Sequence, residues 1–179
     1  EYDTRKQKNR ELNKVISTVI NLVEKNGDTV VNNFGIILDK DNNYMFVAQS
    51  DTQRLRFIAD VYGKLKIDEL EKSQKNSTAQ DIINYLCTDE QYGYGINQRT
   101  MSKQEVLKLI NVRYAVSLNG YQKYIATTIA EEISEETVAD IMENMDTLQG
   151  VDIQEESVRR YNNSKCFANI IGYTGQISE

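Results

Sequence analysis

The stretch RELNKVISTVINLVEKNGD, residues 10–28, constrains this chain more than any other. Leu12, Val15, Ile16, Val19, Ile20, Leu22 and Val23 recur at spacings of three and four, which predicts an amphipathic α-helix. Gly27 follows the last apolar residue and is the expected left-handed stop. A helix of this kind must bury its apolar side, so the rest of the chain has to supply a core. With 179 residues there is enough for one sizeable domain. The apolar share of 40% is slightly under the globular norm and implies a modest core.

The chain beyond that helix reads as a mixture of elements. GIILDKDNNYMFV predicts a hairpin, with two apolar runs flanking an Asp/Asn-rich turn at residues 39–43. SDTQRLRFIADVYG predicts a second helix, started by Ser50 or Asp51 and ended by Gly63. STAQDIINYLC follows, with Ser77 and Gln80 spaced as a capping box. In SKQEVLKLINVRYAVSL the same spacing places Ser102 opposite Glu105. Residues 50–118 therefore read as a mostly helical insertion. YQKYIATTIA is rich in β-branched and aromatic residues and predicts a strand. SEETVADIMENM predicts a helix with Ser134 as N-cap and acids in its first turn. GVDIQEESVRRY begins as an alternating strand, Val151 and Ile153 sharing a face, and a bulge near Glu155 or Glu156 accounts for its change of phase. This order predicts an α+β fold: a mixed sheet with packed helices, one domain over residues 1–179.

The formal charge of −6 argues against binding to nucleic acid or to an anionic membrane surface. The absence of His removes imidazole bases, Ser-His triads and most zinc sites at once. There is no Trp, and no Pro where average usage predicts roughly nine; a chain without proline relies on glycine and asparagine for its turns. Two cysteines occur. Cys87 falls in a helical apolar pattern that suits a buried thiol, and a bond between Cys87 and Cys166 stays open because no spacing rule decides it. No run approaches the ~18 apolar residues of a transmembrane helix.

The candidate chemical groups each have an ordinary structural explanation. Glu131, Glu132, Glu135 and Glu136 gather at one helix start, where they could hold a metal but where acids also favour the positive end of the helix dipole. DKDNNY lacks the central glycine and the closing Glu of a calcium loop and reads as a turn. GYG at residues 93–95 lacks the third glycine of a dinucleotide fingerprint and no strand precedes it, so it reads as a flexible loop. The eleven tyrosines sit mostly near element ends, as amphipathic rings do at wet boundaries or protein surfaces.

One pattern is more specific. ISEETVADIMENMDTLQGVDIQEESVRRYNNSKCFANIIGYTGQIS resembles the N-terminal, non-catalytic module of class B penicillin-binding proteins, their pedestal or dimerisation domain. The resemblance rests on a helix opened by Ser134, Glu135 and Glu136, on Gly150 and Val151, on Arg159 and Tyr161, and on Gly172, Tyr173 and Gly175. The order of ELNKVISTVINLVEKNGD, RFIADVYG and VRYAVSLNGYQKYIATTIAEEIS is similar to the elongation-type branch of Gram-positive bacteria. Two positions depart from the pattern: Asn162 stands where relatives carry Pro, and Asn169 where they carry His.

The resemblance implies a spacer in peptidoglycan synthesis, on the outer face of the cell membrane, with an anchor before Glu1 and a transpeptidase domain beyond Glu179. It implies partners in that transpeptidase domain, in a membrane glycan polymerase and in other elongation-complex proteins. No cofactor or metal is expected. Arg159, Tyr161, Gly172, Tyr173 and Gly175 would form the joint between spacer and enzyme. The transpeptidase motifs themselves are missing here, since no Ser has a Lys three residues on and the Thr-Gly of YTG lacks its Lys. Ser117-Leu118-Asn119 matches Ser-x-Asn by letters only. The alternative function is an acidic domain binding a metal or small ligand.

Overall fold

Helix α1 runs from Tyr2 to Lys25, 24 residues or about 36 Å, and so starts earlier than the apolar pattern does. It ends as the sequence predicts. Gly27 adopts φ +84°, and the chain folds back so that its N–H reaches Glu24 O at 3.0 Å and the Asp28 N–H reaches Val23 O at 3.1 Å. Those two bonds satisfy carbonyls that a helix end would otherwise leave open. The computed structural model describes residues 2–90, 92–119 and 125–155.

Strands β1 (Ile36–Leu38) and β2 (Tyr44–Phe46) pair antiparallel, Ile37 opposite Met45. The turn joining them is held by Asp39, whose Oδ1 accepts from the N–H groups of Asp41 and Asn43, both at 2.8 Å. The pleat sends Ile36 into the core and leaves Ile37 and Met45 partly exposed. Among the described residues this hairpin is the whole sheet, where a larger mixed sheet was expected.

The stretch after the hairpin is helical, as its caps predict. Helix α2 (Asp51–Val61) starts at Ser50, whose Oγ accepts from Gln53 N. A 3₁₀ turn (Ile67–Glu69) and the short α3 (Lys72–Lys75) lead to α4 (Ala79–Cys87) and α5 (Lys103–Leu118). Ser102 and Glu105 form the expected box at the start of α5, Glu105 Oε2 accepting from Ser102 N at 2.7 Å. The box on α4 is one residue later than expected. Thr78 and Asp81 make it, with Thr78 N–H on Asp81 Oδ2 at 2.8 Å. Ser77 is instead buried, its hydroxyl 3.1 Å from the Tyr62 hydroxyl.

Helix α6 (Glu135–Glu143) has Ser134 as N-cap, again as expected. The two expected strands beside it do not form among the described residues. Of 121–130, residues 121–124 fall outside the description, and 125–130 carry only one rung, where Val31 N–H reaches Ile129 O at 2.8 Å and Val30 bridges Ala130. The reason is a competing partner. Asn111 of α5 donates to Val31 O at 2.6 Å and accepts from Asn33 N at 3.2 Å, so it takes the backbone groups that a longer ladder would need. Residues 151–155 make no ladder either, so there is none for a bulge to interrupt at Glu155; Glu156 lies outside the described residues. Val151 and Ile153 nevertheless share a face, as their alternation implies, and pack on the core.

Two apolar clusters result. The larger joins Ile16 and Ile20 of α1 to Phe34, Ile36, Ile58 and the buried sides of α4 and α5. Helix α5 is covered over much of its girth, from Val106 to Arg113, which fits a central helix better than a surface one. The smaller cluster joins Val19 and Val23 of α1 to Ile141 and Leu148. Phe34, Phe57 and Tyr114 meet edge to face at 5.2–6.0 Å in the larger cluster. The α+β class expected from the sequence is the one observed.

Ile110 is fully buried at the middle of α5. Ile110→Ala is expected to cost about 2–5 kcal/mol of unfolding free energy, read from the urea midpoint. Ser102→Ala should cost roughly 1 kcal/mol by the same measurement. A smaller loss for the core variant than for the cap variant would contradict the central position of α5.

Candidate functional site

The joint residues named from the sequence, Arg159, Tyr161, Gly172, Tyr173 and Gly175, lie outside the described residues, as do Asn162, Asn169 and Cys166. Among the described residues, no group of three or more Cys, Asp or Glu side chains is placed to hold a metal. Glu135 and Glu136 occupy the first turn of α6. The Asp39 carboxylate is taken up by its own turn. Among the described residues Cys87 is a free thiol, 6% exposed, and burial pushes its pKa up to about 12, which keeps such a thiol protonated. Ser117 closes α5: its hydroxyl donates to Tyr114 O at 2.7 Å and lies 3.1 Å from the Tyr94 hydroxyl.

The best-defined polar junction binds the end of α1 to the start of α6. Asp28 stands just past the glycine stop. Its Oδ2 accepts from Ser134 N at 2.9 Å, from Ser134 Oγ at 2.8 Å and from Thr137 Oγ1 at 2.5 Å. Thr137 is fully buried. One turn along α6, Asp140 accepts from Asn26 Nδ2 at 2.8 Å and pairs with Lys25 at 3.0 Å. The Thr137 hydroxyl, then the Ser134 backbone and hydroxyl, hold the Asp28 carboxyl below its usual value of 3.8. Asn26 and Lys25 do the same for Asp140. Sequence reasoning found Ser134 as a cap but missed Asp28, which has no local signal pointing to a partner 106 residues away.

A second polar cluster lies at the other end of α1. Arg113 of α5 is only 7% exposed. Its Nη2 donates to Asn9 Oδ1 at 2.6 Å, and its guanidinium stands 4.9 Å from the centre of the Tyr94 ring. Among the described residues no carboxylate pairs with it, and burial lowers its pKa. Asn9 and Asn13, one turn apart on α1, reach the carbonyls of Gly93 and Tyr94 at 3.3 and 2.9 Å. The Gly-Tyr-Gly stretch is therefore not the flexible loop its composition suggests. Tyr94 N–H, Gly95 N–H and Ile96 N–H donate to Leu86 O, Thr88 O and Cys87 O at 2.7–3.0 Å, which satisfies the last carbonyls of α4. Gly95 sits at φ +63°, and a Cβ there would stand 3.0 Å from Asp89 Oδ1, so both backbone and space call for glycine.

The first junction ties two part-buried carboxylates to hydroxyl, amide and ammonium groups, and the second ties a buried guanidinium and two asparagines to one another and to backbone carbonyls. The family model of the penicillin-binding protein dimerisation domain matches residues 2–179. The chain belongs to this family. No curated protein matches it. Penicillin-binding protein dimerisation domains are in general non-catalytic and lie outside the cytoplasm. Among the described residues, no helix of this dimerisation domain is long and apolar enough to cross a membrane.

The Asp28 junction makes a directional pH prediction. A carboxyl whose folded value is depressed adds stability that is complete above the ordinary carboxylate range and is lost as pH falls through the folded value. Asp28→Asn should lower the urea midpoint at pH 7 and flatten its decline between about pH 5 and pH 2. A decline parallel to that of the unaltered chain would show that the carboxylate contributes nothing to the junction.

Proposed function

We propose that this chain is the extracytoplasmic spacer and interaction module of a class B penicillin-binding protein of the elongation type, from a Gram-positive bacterium. The observation that carries the reading is the family match over residues 2–179, with motif residues of the pedestal pattern at Ser134, Glu135, Glu136, Gly150 and Val151. The mechanics support it. A spacer has to transmit position without bending, and α1 is a 24-residue helix with packed side chains on two of its faces. The Asp28 and Asp140 bonds then fix α6 to the end of that rod.

On this reading the chain is one domain, and the helices of residues 50–118 are an insertion that elaborates it. Arg159 and Tyr161 orient the final segment, Arg159 holding a carboxylate or carbonyl. Gly172 and Gly175 let the backbone turn around Tyr173 at the joint with the transpeptidase domain. The partners are that transpeptidase, a membrane glycan polymerase and other proteins of the elongation complex, in cell-wall synthesis that sets cell shape.

Two measurements test this. A fluorescent penicillin should leave the purified 179-residue chain unlabelled under conditions that label a penicillin-binding transpeptidase; a covalent adduct would overturn the non-catalytic reading. Site-directed photo-crosslinkers on the chain should trap a glycan polymerase in bacterial membranes, and their failure at every exposed helix face would sink the interaction half.

A further inference from the structure

Beside the Gly-Tyr-Gly turn, the first part of α1, the end of α4 and residues 95–99 enclose an open cleft of about 650 Å³, within the range of small-ligand sites. Its cations are Lys6, Arg10 and Arg99, and its single acid is Asp89. Lys6 and Asp89 pair with each other at 3.3 Å. Arg10 and Arg99 have no ion-pair partner among the described residues. A further positive charge lies behind the floor. Gly95 packs on Asn9, and Asn9 holds the buried Arg113, whose Nη1 has no hydrogen-bond partner. In a chain with a formal charge of −6, this is a local excess of positive charge.

The remaining walls are amides and a hydroxyl. Asn84 Oδ1 accepts from Gln80 and Gln98 at 3.0 and 3.1 Å, which leaves the Asn84 amide hydrogens without a partner among the described residues. Asn97 Oδ1 accepts from Arg99 N at 3.1 Å, and its amide hydrogens are likewise unused. The only large apolar side chain in the lining is Ile96, which is 5% exposed, so there is no seat for an apolar peptide side chain. Guanidinium forks match carboxylates in geometry and charge, and free amides match hydroxyls.

We infer that this cleft binds an acidic sugar, its carboxylate held by Arg10 and Arg99 and its hydroxyls by Asn84, Asn97 and Gln98. The inference does not depend on the spacer reading, because it rests on the cleft alone.

Titration of the isotopically labelled chain with sodium glucuronate, followed by NMR of side-chain amides, tests it. The Asn84, Asn97 and Gln98 NH₂ signals should shift saturably, and added salt should weaken the effect. Glucose should leave them unmoved. The surface variant R10Q/R99Q should keep the spectrum of the folded chain and bind at least about tenfold more weakly, since each guanidinium supplies a charge-assisted hydrogen bond. The proposal fails if glucuronate gives no saturable shift, if glucose shifts the same signals equally, or if R10Q/R99Q retains its affinity. Binding of acetyl-dialanine as tight as that of glucuronate would also overturn it, reassigning the cleft to peptide carboxylates.

Discussion

Helix α1 packs on two sides at once, and the rest of the structure depends on it. Ile16 and Ile20 face the larger cluster, Val19 and Val23 the smaller. Residues three and four apart lie on one helix face, so adjacent pairs one step round the helix serve two different cores. Without α1 the hairpin and helices α2 to α5 would lose one wall, and α6 would lose Val19 and Val23 from the cluster around Ile141. Val30 and Ile129, which touch both clusters, close the seam beside it.

Polar contacts then set the angles that apolar packing leaves loose. Burial is non-directional, so it brings helices together without fixing their rotation. At one end of α1, Asp28 accepts three hydrogen bonds from the first turn of α6. Toward the other end, Asn9 and Asn13 hold the turn that closes α4, and Arg113 ties α5 to the same place. Each junction joins several side chains to more than one partner, which leaves little conformational slack.

Several elements were legible in the residues themselves. The Gly27 stop, the Asp39 turn and the Ser50, Ser102 and Ser134 caps all formed as their spacing predicts, because each depends on bonds between residues at most five apart. The cap of α4 moved by one residue for a tertiary reason, since Ser77 pairs with Tyr62 and leaves Thr78 to start the helix. The expected strand after residue 120 failed in its described part for a similar reason: Asn111, 80 residues from Val31 in the chain, took the carbonyl that strand pairing would have used. The Gly-Tyr-Gly stretch looked loose because glycine permits flexibility, yet contacts with α1 make it a packed turn.

By itself, the sequence determined where helices start and stop, where the hairpin turns, that the fold is α+β, and which family pattern the chain follows. All of these are carried by short spacings or by motif residues in order. Only the tertiary structure decided that α1 serves two cores, that Asp28 clamps α6, and that a buried arginine lies under a cationic cleft. Those contacts join residues roughly 80 to 110 positions apart, and no local spacing encodes which distant partner a side chain will meet when burial draws the helices together.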